Sequence, residues 1–296
     1  MNKKTSFYVK FLIIVSLGLS SCVSGCTTIQ VSDKVPKEIF PRHAFVQIHQ
    51  SIELEGCGLK EGTKERRCQK AVMRYVSSGA HIFNSEITEA VSYVLTAGHS
   101  CQNKIPKEQN VDGYKIINKG SKFNIATLNG FQYDAEVVMI NTRFDLCLLK
   151  VTDMMVPPIT LQVAEKEPLR GETVTNMAAP HGLYWSGTVL IFKGQFSGYH
   201  TRGYSVYTIP TKPGSSGSPI IDSHNKLVGV IFAGYPMIEN VGLSSPLVAI
   251  KVFLKKAIAK GEMEIWEKTH KPKPNTQIDR LWIKEMKLKL NKVFGN

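Results

Sequence analysis

The chain is short of acid. Its 296 residues carry 24 Asp and Glu against 37 Lys and Arg, a formal net charge of +13. A balance of that sign favours anionic surfaces such as lipid headgroups or acidic polymers. No nucleic-acid module accompanies it, so the charge implies non-specific attraction and no specific nucleic-acid partner. Long apolar runs are also missing. The N-terminal one, Phe11 to Leu19, falls well short of the ~20 residues that a spanning helix needs. No grouping of Cys and His has zinc-ligand spacing, so no structural metal is expected, and no cofactor. Helical periodicity is scarce before the C-terminal part. Short β-prone runs recur instead at about ten-residue spacing, which argues for an all-β domain.

The first residues read as an export signal. Lys3, Lys4 and Lys10 form a basic start, and the short apolar core follows. The core ends in Leu19-Ser20-Ser21-Cys22, a lipobox-like frame with Cys22 as lipid acceptor. Val23-Ser24-Gly25-Cys26 is a second such frame, farther from the apolar core; the alternative is a plain cleaved signal. Removing residues 1–21 takes away three lysines and leaves a net charge of +10. A lipidated N-terminus would tether the protein to a membrane without spanning it. The expected location is the cell envelope, facing the periplasm or exterior, with secretion as the alternative. Residues 22–42 are polar and proline-bearing, and read as a tether.

An exported chain can keep disulfides. Cys57 and Cys68 flank a charged, glycine-bearing stretch and make the expected pair. Cys147 falls on an apolar run and is expected as a free core thiol. Residues 50–70 read as a charged, solvated loop. Ala71–Gly79 and Ala80–Phe83 read as strand, turn, strand. Residues 103–112 read as an exposed loop.

Three segments carry chemistry. Val94-Leu95-Thr96-Ala97-Gly98-His99 is a β-rich run ending in histidine. In Phe144-Asp145-Leu146-Cys147-Leu148-Leu149-Lys150-Val151 an aspartate heads an apolar strand. Lys212-Pro213-Gly214-Ser215-Ser216-Gly217-Ser218-Pro219 is a tight loop between two β-prone runs. A serine hydroxyl is a poor nucleophile unless a base takes its proton and a third group orients that base. His, Asp and Ser supply those parts.

In this order the segments resemble the chymotrypsin-like (trypsin-like) serine peptidases, in their bacterial HtrA or glutamyl-endopeptidase flavour, over roughly Phe45 to Leu254. The resemblance implies two six-stranded antiparallel β-barrels with the active site between them, followed by a C-terminal helix or helices. It implies His99, Asp145 and Ser216 as the triad and the Gly214 and Ser216 N–H groups as the oxyanion hole. It also implies a substrate strand laid along Phe232-Ala233-Gly234. Many relatives bridge a cysteine directly after the histidine; here Ser100 precedes Cys101.

Asp112 and Asp134 compete with Asp145 but head no apolar strand. Ser215 competes with Ser216, and the motif frame favours Ser216. His181, after a proline in a turn, reads as a rim or structural residue. Ile209-Pro210-Thr211-Lys212 offers no acid for a Lys or Arg side chain, so small or medium apolar side chains are expected at the cleaved position.

The expected organisation is a signal at 1–21, a tether at 22–42 and a peptidase domain at 43–258. Its barrels cover about 43–157 and 165–258. A basic amphipathic extension at 259–296 follows. Ile278, Leu281, Trp282, Met286, Leu290 and Val293 recur at three and four residues there, with lysines between. That helix either packs on the barrels or touches an anionic membrane surface. The expected function is a serine endopeptidase acting on protein or peptide substrates. The alternative is a non-catalytic peptide-binding protein on the same fold.

Overall fold

A computed structural model describes residues 40–59, 66–103, 105–111, 114–270 and 277–294. The signal, Cys22, Cys26, nearly all of the tether, and Asp112 lie outside these residues. The described residues belong to one unit, Phe40–Asn296.

Seven strands build the first half: β1 (Phe45–Leu59), β2 (Arg66–Asn84), β3 (Ser92–Ala97), β4 (Glu108–Val111), β5 (Tyr114–Thr127), β6 (Gln132–Asn141) and β7 (Leu146–Val151). Their order is β1-β2-β3-β7-β6-β5-β4, and β5 also pairs with β1. Six strands therefore close a barrel, and β4 adds to the outside of β5. The second half is a closed barrel of β8 (Thr173–Ala178), β9 (Leu190–Tyr199), β10 (Ser205–Tyr207), β11 (Pro219–Ile221), β12 (Leu227–Gly234) and β13 (Gly242–Ser245). All ladders within both barrels are antiparallel. The architecture matches the expectation.

Burial explains the strand patterns. β3 and β7 are buried at every residue, because one face lines the barrel and the other is covered. Val46, Ile48, Val94, Phe123, Ile125 and Leu149 fill the first barrel. A second core runs through barrel two and under the helices, including Val174, Phe196, Tyr207, Ile220 and Val230.

The loop expected at residues 50–70 is a correction. Residues 45–59 and 66–84 form two long strands, paired from Phe45↔Ala80 out to Leu59↔Arg66. The strand-turn-strand reading of 71–83 likewise gives way to the single strand β2. Part of the loop expected at 103–112 is β4. The outer end of β2 is exposed on both faces, so no period-two alternation marks it.

Two helices follow: α1 (Leu247–His270) and α2 (Gln277–Phe294). Glu167, from the crossing between the barrels, accepts the Leu247 N–H at 2.7 Å and caps the start of α1. Ile250, Phe253, Leu254, Ala257, Ile258 and Ile265 bury the inner face of α1. In α2, Met286, Leu290 and Phe294 join the same core. Each such burial contributes about 1.5–3 kcal/mol. Trp266 and Trp282 stack at 4.9 Å between the helices. The inner stripe of α2 is thus occupied by the protein itself. Among the described residues no helix is long and apolar enough to cross a membrane.

Candidate active site

The groove between the barrels collects the three motif residues. A one-turn 3-10 segment, Gly98–Ser100, follows β3 and carries His99 out of the barrel wall. Asp145 stands just before β7, with φ of +52°. β7 pairs with β3 in the register Ala97↔Leu146, which brings Asp145 beside His99. Asp145 Oδ2 accepts from His99 Nδ1 at 2.6 Å, and Oδ1 accepts the His99 backbone N–H at 2.6 Å. Ser216 Oγ lies 2.8 Å from His99 Nε2. With Nδ1 protonated toward the carboxylate, Nε2 is the free base and Ser216 donates to it.

The serine loop is held by its glycines. Gly214 has φ of +95° and Gly217 +85°. A Cβ on Gly214 would sit 2.5 Å from the Ala179 carbonyl; one on Gly217 would sit 2.1 Å from the Ser78 carbonyl. No side chain fits either place. The Pro213 carbonyl accepts the His181 N–H at 2.5 Å. In a planar trans peptide the N–H points opposite to the carbonyl, so the Gly214 N–H faces away from His181. Among the described residues neither the Gly214 nor the Ser216 N–H donates to a protein acceptor. Both donors are available at the cleft.

The rival residues separate cleanly. Asp134 is in β6, opposite Asn124 on β5. Ser215 is buried, and its Oγ accepts the Lys212 N–H at 3.4 Å. Ser218 Oγ accepts from Asn176 Nδ2 at 2.8 Å, and the Pro219 carbonyl accepts from the same amide at 2.9 Å. Ser218 and Pro219 therefore anchor the loop. The imidazole of His181 is exposed, and only its backbone engages the loop.

Cys147 is a second correction. It is joined to Cys101 and is not a free thiol. The turn at Gly98–Ser100 folds Cys101 back over β7, with the two Cα atoms 6.4 Å apart. The Cys57–Cys68 bridge is present as expected.

Sequence reasoning missed Ser78 and Asn176. Ser78 bolts the barrels together: its N–H donates to the Ser216 carbonyl at 2.8 Å and its Oγ to the Gly214 carbonyl at 2.8 Å. Its Oγ also accepts the Ala179 N–H at 3.0 Å. Nothing in the sequence around Ser78 marks it. Asn176 carries a faint signal, a polar residue in the buried phase of β8 between Val174 and Ala178.

Two depressions lie near the serine loop, the first of them touching Ser216. One of about 200 Å³ is lined by Ile52, Tyr75, Val76, Ser77, His99 and Ser216. The other, about 370 Å³, lies by Thr211, Lys212, Gly234, Tyr235 and Glu239. Gly234 and Gly242 are register partners on β12 and β13, and the Thr211 side chain packs over both: a Cβ on Gly234 would sit 2.2 Å from Thr211 Oγ1, and one on Gly242 3.1 Å from Thr211 Cγ2. Glu239, which sequence reasoning did not weigh, is at the exposed rim and pairs with Lys212 at 3.6 Å. β12 pairs with β11 only as far as Val230, so Phe232, Ala233 and Gly234 have one edge open.

Two antiparallel barrels with Ser, His and Asp in the groove between them define the chymotrypsin-like class of proteins. Residues 76–230, more than half of the chain, match the trypsin-like peptidase domain family, and the chain belongs to that family. It is 26% identical over 207 residues to the serine protease Do-like HtrA of Bacillus subtilis, covering 63% of this chain and 45% of that protein. The chain thus spans less than half the length of that relative. Its fold is similar to the serine endoprotease from Yersinia pestis, with TM-score 0.52, 17% identity and coverage of 75% of this chain and 65% of that one. It is also similar to Rv3671c from M. tuberculosis H37Rv in an inactive serine-to-alanine form. There the TM-score is 0.50 and the identity 15%, with coverage of 74% of this chain and 88% of that one.

Proposed function

We propose that the protein is a serine endopeptidase working through a Ser216–His99–Asp145 triad and an acyl-enzyme. The observation that carries this reading is the continuous chain of hydrogen bonds from Asp145 through His99 to Ser216, 2.6 Å and 2.8 Å long. His99 takes the Ser216 proton as the hydroxyl attacks the scissile carbonyl, and returns it to the leaving amine. Asp145 keeps the imidazole in the right tautomer and stabilises the imidazolium. The Gly214 and Ser216 N–H groups bind the developing oxyanion, and one such donor lowers the barrier by about 3 kcal/mol, the scale known from subtilisin. Water, activated by the same histidine, then releases the acyl group. The open edge at Phe232–Gly234 takes the substrate strand upstream of the scissile bond by β-addition.

The 370 Å³ depression at Gly234, where Thr211 packs over the Gly234–Gly242 pair, supports small or medium apolar side chains at the cleaved position. Export and anchoring through Cys22 place the domain at the cell envelope. That part of the reading rests on the basic start, the apolar core and the lipobox-like frame.

A chromogenic ester tests the chemistry. A burst of about one product per enzyme, absent in Ser216→Ala, is expected for an acyl-enzyme. A folded protein without burst or turnover would contradict it. For the anchor, Cys22→Ala is expected to move the protein out of the membrane fraction; unchanged partition would contradict lipidation.

A further inference from the structure

Among the described residues, the outer half of β2 belongs to no second ladder. From Ala80 to Asn84, β2 pairs with β3, and at Ala80 also with β1. From Arg66 to Gly79 it pairs with β1 alone. Residues 66–75 are exposed throughout. This is a long open edge, which proteins usually cover or bulge away.

The register tells which backbone groups point outward. Cys57 and Cys68 oppose each other with Cα atoms 4.1 Å apart. That spacing marks a pair that does not exchange ladder hydrogen bonds. Every second residue from Cys68 onward, namely Lys70, Val72, Arg74, Val76 and Ser78, therefore turns its N–H and C=O away from β1. Ser78 confirms the phase: its N–H reaches out to the carbonyl of Ser216. The open edge thus begins at the nucleophile itself. Val76, the next outward residue, lines the 200 Å³ depression beside His99 and Ser216.

The edge is also charged in one sense. Arg66, Arg67, Lys70 and Arg74 are its cations, with no acid between Arg66 and Gly79. The neighbouring acids are matched elsewhere: Glu53 with Lys122 at 2.7 Å, Glu55 with Lys119 at 2.7 Å, and Glu108 with Lys115 at 2.5 Å. Lys70 and Arg66 act on Glu55 only at longer range. Among the described residues none of the four β2 cations makes an ion pair within 4 Å.

We propose that this edge is an extended track for the substrate downstream of the scissile bond, selecting acidic, extended segments. The inference rests on the peptidase reading above and deepens it. β2 runs toward the cleft from Arg66 to Ser78. A chain leaving the cleft along it runs the other way, as antiparallel addition requires. From Val76 to Cys68 the track is about 26 Å long, at ~3.3 Å per residue. Its backbone takes any sequence in strand form; Arg74, Lys70 and Arg66, spaced four apart on one face, favour carboxylates there.

The experiment uses peptides that share all residues up to the third after the scissile bond. They continue with five residues that are acidic, neutral or basic in alternating positions. The expected kcat/KM ratio of acidic to neutral is roughly fivefold at low salt, from a few exposed ion pairs, and it shrinks as salt rises. Arg74→Glu with Lys70→Glu is expected to invert the ratio. N-methylation of alternate amides in the extension is expected to weaken the acidic peptide in one phase only. Equal rates for all three extensions, or indifference to N-methylation, would overturn the track. Peptide binding to Ser216→Ala, read by fluorescence anisotropy, repeats the comparison without chemistry. If no peptide is cleaved yet the acidic one binds more tightly, the peptidase reading fails and the track stands. A dimer that dissociates on Lys70→Glu would overturn the track in favour of a second copy of this chain on the edge.

Discussion

Asp145 grips His99 with both carboxylate oxygens, one on the ring Nδ1 and one on the backbone N–H, each at 2.6 Å. Ring and backbone are fixed by the same group. Asp145→Asn keeps the size but puts a donor where an acceptor is needed, favouring the wrong tautomer. It is expected to lower kcat by about 10⁴ with the fold intact, the scale of the same exchange in the trypsin triad. A loss under tenfold in steady-state assays would place the orienting carboxylate elsewhere.

Gly214→Ala tests the oxyanion loop. The added methyl would meet the Ala179 carbonyl at 2.5 Å and force the turn to move. A fall in kcat of about 10²–10³ is expected, with KM changed little. A main effect on KM would assign the loop to substrate binding.

His81 sets a pH limit on stability. Burial drives its imidazole down to about 3. Nδ1 bonds Ser92 Oγ at 2.9 Å, and Nε2 is buried without a partner among the described residues. The unfolded chain takes up a proton near pH 6.5 that the folded protein refuses. Stability is therefore fully present above that pH and falls as pH drops toward 3, by up to about 1.4 kcal/mol per unit. Urea unfolding of the wild type against His81→Leu should show a steeper fall with pH in the wild type, His49, also lowered by burial, contributing equally to both; parallel slopes would contradict it.

The bridge between Cys101 and Cys147 lies at the base of the histidine turn and spans 46 residues of sequence. Cys101→Ala with Cys147→Ala is expected to cost about 4 kcal/mol by chain-entropy reasoning. Denaturant titration measures it; a cost near zero would show that the core around Cys147 holds the turn unaided.

A peptide panel varied at the cleaved residue tests the depression at Thr211. Ala, Val and similar side chains are expected to be best. Arg as the best residue would contradict it and point to Glu239 at the rim.

The three residues that meet in the groove and the glycine-bearing serine loop are legible because each motif is local, a few consecutive residues carrying both the turn chemistry and the polar group; the two barrels are legible through the family resemblance those motifs carry. What escaped depends on partners far away in sequence. Ser78 is an ordinary strand serine until β2 meets Ser216. Cys147 looked like a core thiol because its mate comes from a turn whose direction the sequence does not specify. The outer half of β2 carries no alternation, since water bathes both its faces. Glu262 is fully buried on α1, where Tyr93 donates to it at 2.8 Å and burial raises its carboxyl. In the sequence it was one more charge on a helix. The apolar stripe of α2 is visible in the sequence, but which of its residues pack on the protein is not: Met286 and Leu290 enter the core with Phe294, while Leu281 and Val293 stay exposed.

The most direct test is labelling of the chain with a fluorophosphonate probe, beside Ser216→Ala and His99→Ala. The account predicts one covalent adduct, on Ser216, in the wild type only. A folded wild type that stays unlabelled, or a label that persists in Ser216→Ala, would contradict it.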